Sequence, residues 1–473
     1  MEIDLKTIPT RLEADSVGKK EVPAAAYYGV QTLRAQENFP ITGRLLEPEL
    51  IRGHAVLKKA CALANKEAGI LTAEVADAIV KACDLILEGK FLDQFIVDPI
   101  QGGAGTSMNM NANEVIANIA IELLGGEKGD YSIVHPNDHV NNGQSTNDIV
   151  PTAGKIAMLS LLPAMEKELE NLIDAFMVKA KEFDGVIKMG RTQMQDAVPI
   201  RLGQEFHAYA TAVARGLKRI RRAKEELYSV NMGGTAIGTG INADKTYFTR
   251  VTPILAELTG MPFIQADDLV DGTQNIDSYA CISSALRDCA VAMSKISNDL
   301  RLMSSGPKTG FNEINLPARQ NGSSIMPGKV NPVIPEVVSQ VAFRVVGNDM
   351  TVAMAVEAGQ LELNAFEPVI FDAIFESIKT MGHAAWTLTE NCVKGITANE
   401  KHSRDLLESS VGMVTALCPH IGYTKAAKLA KEALATGVAI RTLLVERGVL
   451  TKEECDRIMD AYAMTEPGIS SAE

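Results

Sequence analysis

The sequence predicts an all-α fold with a central bundle of long helices, and three observations carry that expectation. Prolines break helices by removing an N–H and crowding the preceding turn. None lies between Pro199 and Pro253, between Pro262 and Pro307, or between Pro335 and Pro368. Ile282, Leu286, Cys289, Met293, Ile296, Leu300 and Met303 alternate steps of four and three, an unbroken heptad seam. Phe206, Tyr209, Val213, Leu217, Ile220 and Leu227 give a looser stripe of the same kind. Hydrophobic residues make up 46% of the chain and aromatic ones only 5%, so the core is aliphatic, as suits packed helices. Helices this long bury little alone and much more by pairing between copies.

The 473 residues suggest about three domains. We expect an N-terminal helical domain over residues 1–144, the long-helix bundle over 145–396 and a small C-terminal helical domain over 397–473. The last boundary falls at Ile396-Thr397-Ala398-Asn399-Glu400, where the periodicity shortens and charge rises. The net charge of −13 argues against nucleic acid or an anionic membrane as partner. It leaves an anionic substrate open, because a local site can be positive within an acidic surface. The first residues, Met1-Glu2-Ile3-Asp4-Leu5-Lys6, lack the apolar stretch of a signal peptide, and no apolar run is long enough to span a membrane. Seven scattered cysteines without a CxxC pair point away from a disulfide framework or zinc site and toward a reduced cytoplasm. Neither a metal nor another cofactor is expected.

Taken in order, residues up to about Arg44 mix polar residues, Pro and Gly, and read mostly as loop. Helical periodicity runs from Ile51 to Ala68 and again from Ala73 to Leu87. Gln101-Gly102-Gly103-Ala104-Gly105-Thr106-Ser107 then precedes a helix from Met108 to Leu124. A dinucleotide reading fails there, since GxGxxG breaks at Met108 and no Val/Ile-rich strand comes before it. A glycine loop feeding a helix whose free N–H groups face an anion fits, as does a plain helix start. In His135-Pro136-Asn137-Asp138-His139 two histidines stand at i, i+4, the spacing of a metal pair, but no third ligand follows at a telling distance. Asn-Asp-His reads better as a helix cap in a polar network. Gly190-Arg191-Thr192-Gln193-Met194-Gln195-Asp196-Ala197-Val198-Pro199 reads as a turn with a helix start. Gly233 to Gly240 is glycine-rich, yet no Lys-Ser/Thr pair follows, so it is a close backbone turn near the site and not a phosphate loop. From Pro467 a frayed tail is expected.

One further stretch, Gly322-Ser323-Ser324-Ile325-Met326-Pro327-Gly328-Lys329-Val330-Asn331-Pro332, forbids regular structure inside an otherwise helical chain. It gathers two adjacent hydroxyls, one ammonium and one carboxamide. That set can grip a carboxylate and attack a nearby C–H bond, although a Pro/Gly turn between helices has the same composition.

This stretch resembles the signature loop of the fumarase/aspartase superfamily. Its flanks, Asn312-Glu313-Ile314-Asn315-Leu316-Pro317 and Val333-Ile334-Pro335-Glu336, are similar to the aspartase branch, as is the segment from Val22-Pro23 through Tyr27 to Ala35. Two more signatures, His135 to Asp148 and Gly190 to Pro199, fall in the family's order, and the resemblance runs from near Arg11 to near Ala463. It implies a homotetramer of pooled bundles, with each active site assembled from three subunits. It also implies reversible deamination of L-aspartate to fumarate and ammonia. Ser323 would be the base, and Thr106, Ser145, Thr146, Asn147, Thr192, Gln193, Ser324, Lys329 and Asn331 would contact substrate. Gly143 stands where the family leads one to expect a larger residue. Fumarases carry His where this chain has Gln193 and tend to Ser at Thr146, so a fumarate hydratase is the weaker alternative. The intact Ser323, Lys329 and Asn331 set argues against a non-catalytic structural relative.

The chemistry fits those residue types. Removing the proton beside the side-chain carboxylate of aspartate builds a second charge on that carboxylate, which neutral donors such as Thr106, Ser145, Thr146 and Ser324 can stabilise. Lys329 and Asn331 suit the other carboxylate. A serine hydroxyl is too weak an acid to ionise unaided. Amide donors, Lys329 or exclusion of water must activate it.

Overall fold

A computed structural model describes residues 9–470. The chain opens with an antiparallel hairpin of β1 (Thr10–Asp15) and β2 (Gly18–Pro23), paired from Thr10↔Pro23 to Asp15↔Gly18. The Asp15 carboxylate closes the turn by accepting from the Val17 and Gly18 N–H groups. Helix α1 follows at Val30–Asn38. The segment expected as loop is therefore a hairpin and a helix. Its strands are short and polar, and the helix has no capping side chain of its own, so neither leaves a local signal. Residues 1–6, expected to carry no leader, lie outside the described residues.

Helices α2 (Pro48–Glu67) and α3 (Ala73–Leu87) match the periodicity. Pro48 at the first turn starts α2, and Thr72 caps α3 by accepting from Val75 N–H. Next come α4 (Thr106–Leu123) and α5 (Thr146–Glu182). A second hairpin joins β3 (Ile187–Thr192) and β4 (Gln195–Arg201). It leads into α6 (Leu202–Ala223), β5 (Ser229–Val230), α7 (Lys245–Thr259), β6 (Ile264–Gln265), α8 (Leu269–Gln274), α9 (Asp277–Met303) and β7 (Ile314–Asn315). After the signature loop stand α10 (Val333–Glu357), α11 (Glu367–Asn391), β8 (Thr397–Ala398) and five more helices. These are α12 (Glu400–Ser409), α13 (Cys418–Ile421), α14 (Tyr423–Thr436), α15 (Ile440–Glu446) and α16 (Lys452–Ile458). The all-α expectation holds, with the strands confined to two-stranded pairs. No helix among the described residues is long and apolar enough to cross a membrane.

Every residue of the heptad seam and of the looser stripe is buried. Along α5, Pro151 cannot bond the Asn147 carbonyl, and Asn231 Nδ2 donates to it instead at 2.9 Å.

Two compact units are distinguished. The first comprises residues up to 165, 218–288 and 344–380; the second comprises 166–217, 289–343 and 381 onward. Within the second, the C-terminal helices pack a core that includes Leu407, Leu417, Leu443, Leu444, Ile458 and Met189 of β3. The tail expected to fray is tied down as far as it is described: Ser470 Oγ donates to the Ile458 carbonyl, and His420 Nε2 meets the Ser470 carbonyl.

Candidate active site

In the first unit, Gly103 and Gly105 adopt left-handed φ angles of +87° and +82°, turning the chain sharply into α4. Thr106, the first residue of α4, donates its hydroxyl proton to Gly103 O at 2.7 Å and lies 3.3 Å from Thr146 Oγ1 at the start of α5. Ser145 Oγ accepts from Asn147 N–H at 3.2 Å. Asn147 Nδ2 donates to the Ala236 carbonyl at 2.7 Å, so the glycine-rich turn after Gly233 does pack against the site residues. Thr106, Ser145, Thr146 and Asn147 are thus brought together.

Beneath them lies a layer that sequence reasoning missed. Asp148 is fully buried and accepts from the Ser145 and Thr235 N–H groups at 2.9 and 3.1 Å. Burial pushes its carboxyl up to about 6. Lys58 of α2, also fully buried, donates from Nζ to Asn141 Oδ1 and Gln144 Oε1, both at 2.8 Å. Asn109 and Asn113 of α4 donate to the same Asn141 oxygen at 3.3 and 3.2 Å. The available signal was the density of asparagine in the helical stretch Met108 to Ile121, with Asn109 and Asn113 one turn apart.

The two histidines both turn Nδ1 to backbone amides. His135 Nδ1 accepts from the Asn137 and Asp138 N–H groups, capping a π-turn at Pro136–Val140, and His139 Nδ1 accepts from His135 N–H. Gly143, at φ +70°, has Tyr247 ring carbons 3.5 Å from where a Cβ would stand. Glycine there meets a left-handed backbone that a larger residue would strain.

In the second unit, Thr192 and Gln193 sit at the tip of the β3–β4 hairpin, where Gln193 and Met194 both have positive φ. The expected helix start is a hairpin turn instead: the two left-handed residues match a type I′ turn. Arg191 Nη1 donates to Glu313 Oε1 at 2.7 Å, and Lys188 Nζ lies 2.8 Å from the other oxygen. The hairpin is thereby ion-paired to the residue that precedes β7 on the way to the signature loop.

That loop closes on itself. Gly322 N–H donates to Lys329 O at 2.9 Å, and Asn331 Nδ2 donates to Gly322 O at 2.7 Å. A Cβ on Gly322 would lie 2.2 Å from the Lys329 carbonyl oxygen, so only glycine fits. Ser323 Oγ accepts from both the Ile325 and Met326 N–H groups at 3.2 Å. Lys329 and Asn331 line a cleft of about 980 Å³ together with Arg301, Asn312 and Asn315. Among the described residues no hydrogen bond joins the Thr192–Gln193 tip to this loop.

A serine oxygen cradled by two amides, a cation in the same loop and a cluster of hydroxyls on buried amides are the equipment of a lyase that removes a proton beside a carboxylate. Comparison with known proteins agrees. A family model described as Lyase matches residues 18–347, and one described as Fumarase C C-terminus matches 413–466. Aspartate ammonia-lyase of a Bacillus species is 58% identical over 97% of this chain and 98% of its own length. That of Bacillus subtilis (strain 168) is 55% identical over 98% of each. Among solved structures, a cobalt-bound fumarate lyase:delta crystallin from Brucella melitensis superposes with a TM-score of 0.95 at 48% identity, covering 97% of this chain and all of that one. The chain belongs to the fumarase/aspartase superfamily.

Proposed function

We propose that this chain is a carbon–nitrogen lyase that reversibly deaminates L-aspartate to fumarate and ammonia, with Ser323 as the base. The observation that carries the reading is the Ser323 oxygen accepting two backbone N–H groups. Those donors stabilise the alkoxide, the amide route to an ionised serine. The base takes the proton from the carbon beside the side-chain carboxylate. Thr106, Ser145, Thr146 and Ser324 donate to that carboxylate as it gains charge, while Lys329 and Asn331 hold the other. Thr192, Gln193 and Asn147 meet the amine. The leaving group departs as ammonia already protonated, so a neutral amide at Gln193 suffices. A hydroxide leaving group needs an acid.

The site residues would come together across three subunits of a homotetramer. An apolar stripe on α10, Phe343, Val346, Met350 and Met354, supports that assembly: all four are exposed in the single chain, Phe343 and Met354 at 67% each. The three-part division at residues 1–144, 145–396 and 397–473 and a cytoplasmic location belong to the same reading, the former supported by the core gathered among the C-terminal helices, to which β3 adds Met189.

The test is to incubate purified protein with L-aspartate and then L-malate and follow fumarate absorbance. Aspartate should react at least about a thousandfold faster, a gap of about 4 kcal/mol in barrier. Faster malate turnover would replace the ammonia-lyase with a hydratase. No turnover of either would leave a structural relative.

A further inference from the structure

Lys58 has no role in the reaction as set out above, yet it is placed under the hydroxyl cluster. It is completely buried and forms no salt bridge among the described residues, having only the amide oxygens of Asn141 and Gln144 as partners. Burial lowers its ammonium to about 8, which leaves it protonated at neutral pH. Taking a cation out of water without a contacting carboxylate is costly, and an apolar residue would fill the same space without that cost.

What an ammonium does that an apolar residue cannot is impose direction. It has donors only, so Asn141 must turn its carbonyl oxygen toward Nζ. That oxygen then receives Asn109 Nδ2 and Asn113 Nδ2, which fixes those amides as donors on this side. Their own carbonyl oxygens meet no protein donor among the described residues. The orientation is therefore set from Asn141 and not by what the far side offers. Asn109 Nδ2 also reaches Thr146 Oγ1 at 3.4 Å. Thr146 thus accepts from behind. The neighbouring Thr106 has a single proton, already given to Gly103 O. The proton of Thr146 is left with two acceptors, the Thr106 oxygen at 3.3 Å and an anionic oxygen in front, and the charged one takes it.

We propose that Lys58 is a positioning residue that fixes the donor direction of the Thr146 hydroxyl, through Asn141 and Asn109, so that Thr146 donates to the substrate carboxylate. The inference rests on the reading of Thr146 as a substrate donor. Without Lys58, Asn141 is held only by the bond from its Nδ2 to the Gln144 carbonyl at 3.2 Å; it and Asn109 can then turn over, and Thr146 spends its proton on the Asn109 carbonyl.

A double-mutant cycle tests this in the full-length assembled enzyme, reading kcat and KM for L-aspartate. Thr146→Val and Lys58→Met should each lower kcat/KM about tenfold to a hundredfold, the effect of losing one hydrogen bond to a charged group. Most of the loss should fall in kcat, because the carboxylate gains its second charge only as the proton leaves. The double variant should be no worse than the poorer single one. Asn109→Leu, which removes the link and leaves the buried lysine in place, should show the same non-additivity with Thr146→Val and decides the matter if Lys58→Met does not assemble. Losses that multiply in the double variant would overturn the proposal and leave Thr146 as a donor. Unchanged turnover in Thr146→Val would overturn the site reading itself, and this inference with it.

Discussion

Acidification should destabilise this protein through one buried imidazole. His54 of α2 is 1% exposed, one turn before Lys58. Its Nδ1 lies 2.9 Å from the Leu50 carbonyl, and no protein group among the described residues reaches its Nε2. Burial, reinforced by the Lys58 charge, lowers its pKa from the ordinary 6.5 to about 4. The folded state therefore resists a proton that the unfolded chain accepts. Between pH 6.5 and 4 the unfolded state binds more protons, so stability falls as pH falls across that interval and levels off below it. At about 1.4 kcal/mol per pH unit the full effect is roughly 3 kcal/mol. His54→Leu removes this titration and leaves every carboxylate in place. Urea unfolding followed by circular dichroism, at fixed protein concentration from pH 7 to pH 4, should show the parent losing about 3 kcal/mol more than the variant. Parallel pH profiles for the two proteins would refute the argument, because the histidine would then be as easily protonated folded as unfolded.

Other outcomes follow from the site. Ser323→Ala should abolish aspartate turnover while circular dichroism and assembly stay as in the parent; near-normal turnover would remove Ser323 from the mechanism. Lys329→Ala should weaken substrate binding by about 2–5 kcal/mol, measured by calorimetry with a dicarboxylate inhibitor, since a held carboxylate loses its counter-charge. Gly105→Ala should cost about 3 kcal/mol by thermal unfolding: its φ is +82° and the new Cβ would meet Val150 Cγ1 at 2.7 Å. An unchanged midpoint would mean that the turn into α4 relaxes freely.

The parts that were legible in the sequence are those written in local periodicity. The seam from Ile282 to Met303 repeats often enough for chemistry alone to reveal a buried face, and α3 begins and ends where its apolar pattern does. The signature loop is legible because glycines and prolines are unambiguous about what they forbid. The hairpins were not legible. The strands of β1 and β2 carry few apolar residues and are stabilised by each other, and the turn at Gln193–Met194 uses left-handed backbone at residues that do not advertise it. Lys58 was hidden for another reason. A lysine on a helix reads as a solvated side chain, and only the placement of Asn109, Asn113, Asn141 and Gln144 around it makes a buried one tolerable. Those partners come from two other segments of the chain, α4 and residues 141–144.

One carboxylate gives the N-terminal region an order of dependence. Glu114, buried in the middle of α4, accepts from the Gly29, Gln31 and Thr32 N–H groups and from the Thr32 hydroxyl. It serves as the cap that α1 does not carry in its own sequence, and it does so from more than eighty residues away. Helix α1 is thus not an autonomous element but a dependant of α4. Any excursion that opens α4 strips the first turn of α1 of its acceptors at the same moment, so the amides of the two helices should exchange with solvent as a single cooperative block. A nine-residue helix, too short to persist by itself in water, thereby lasts no longer than α4 does.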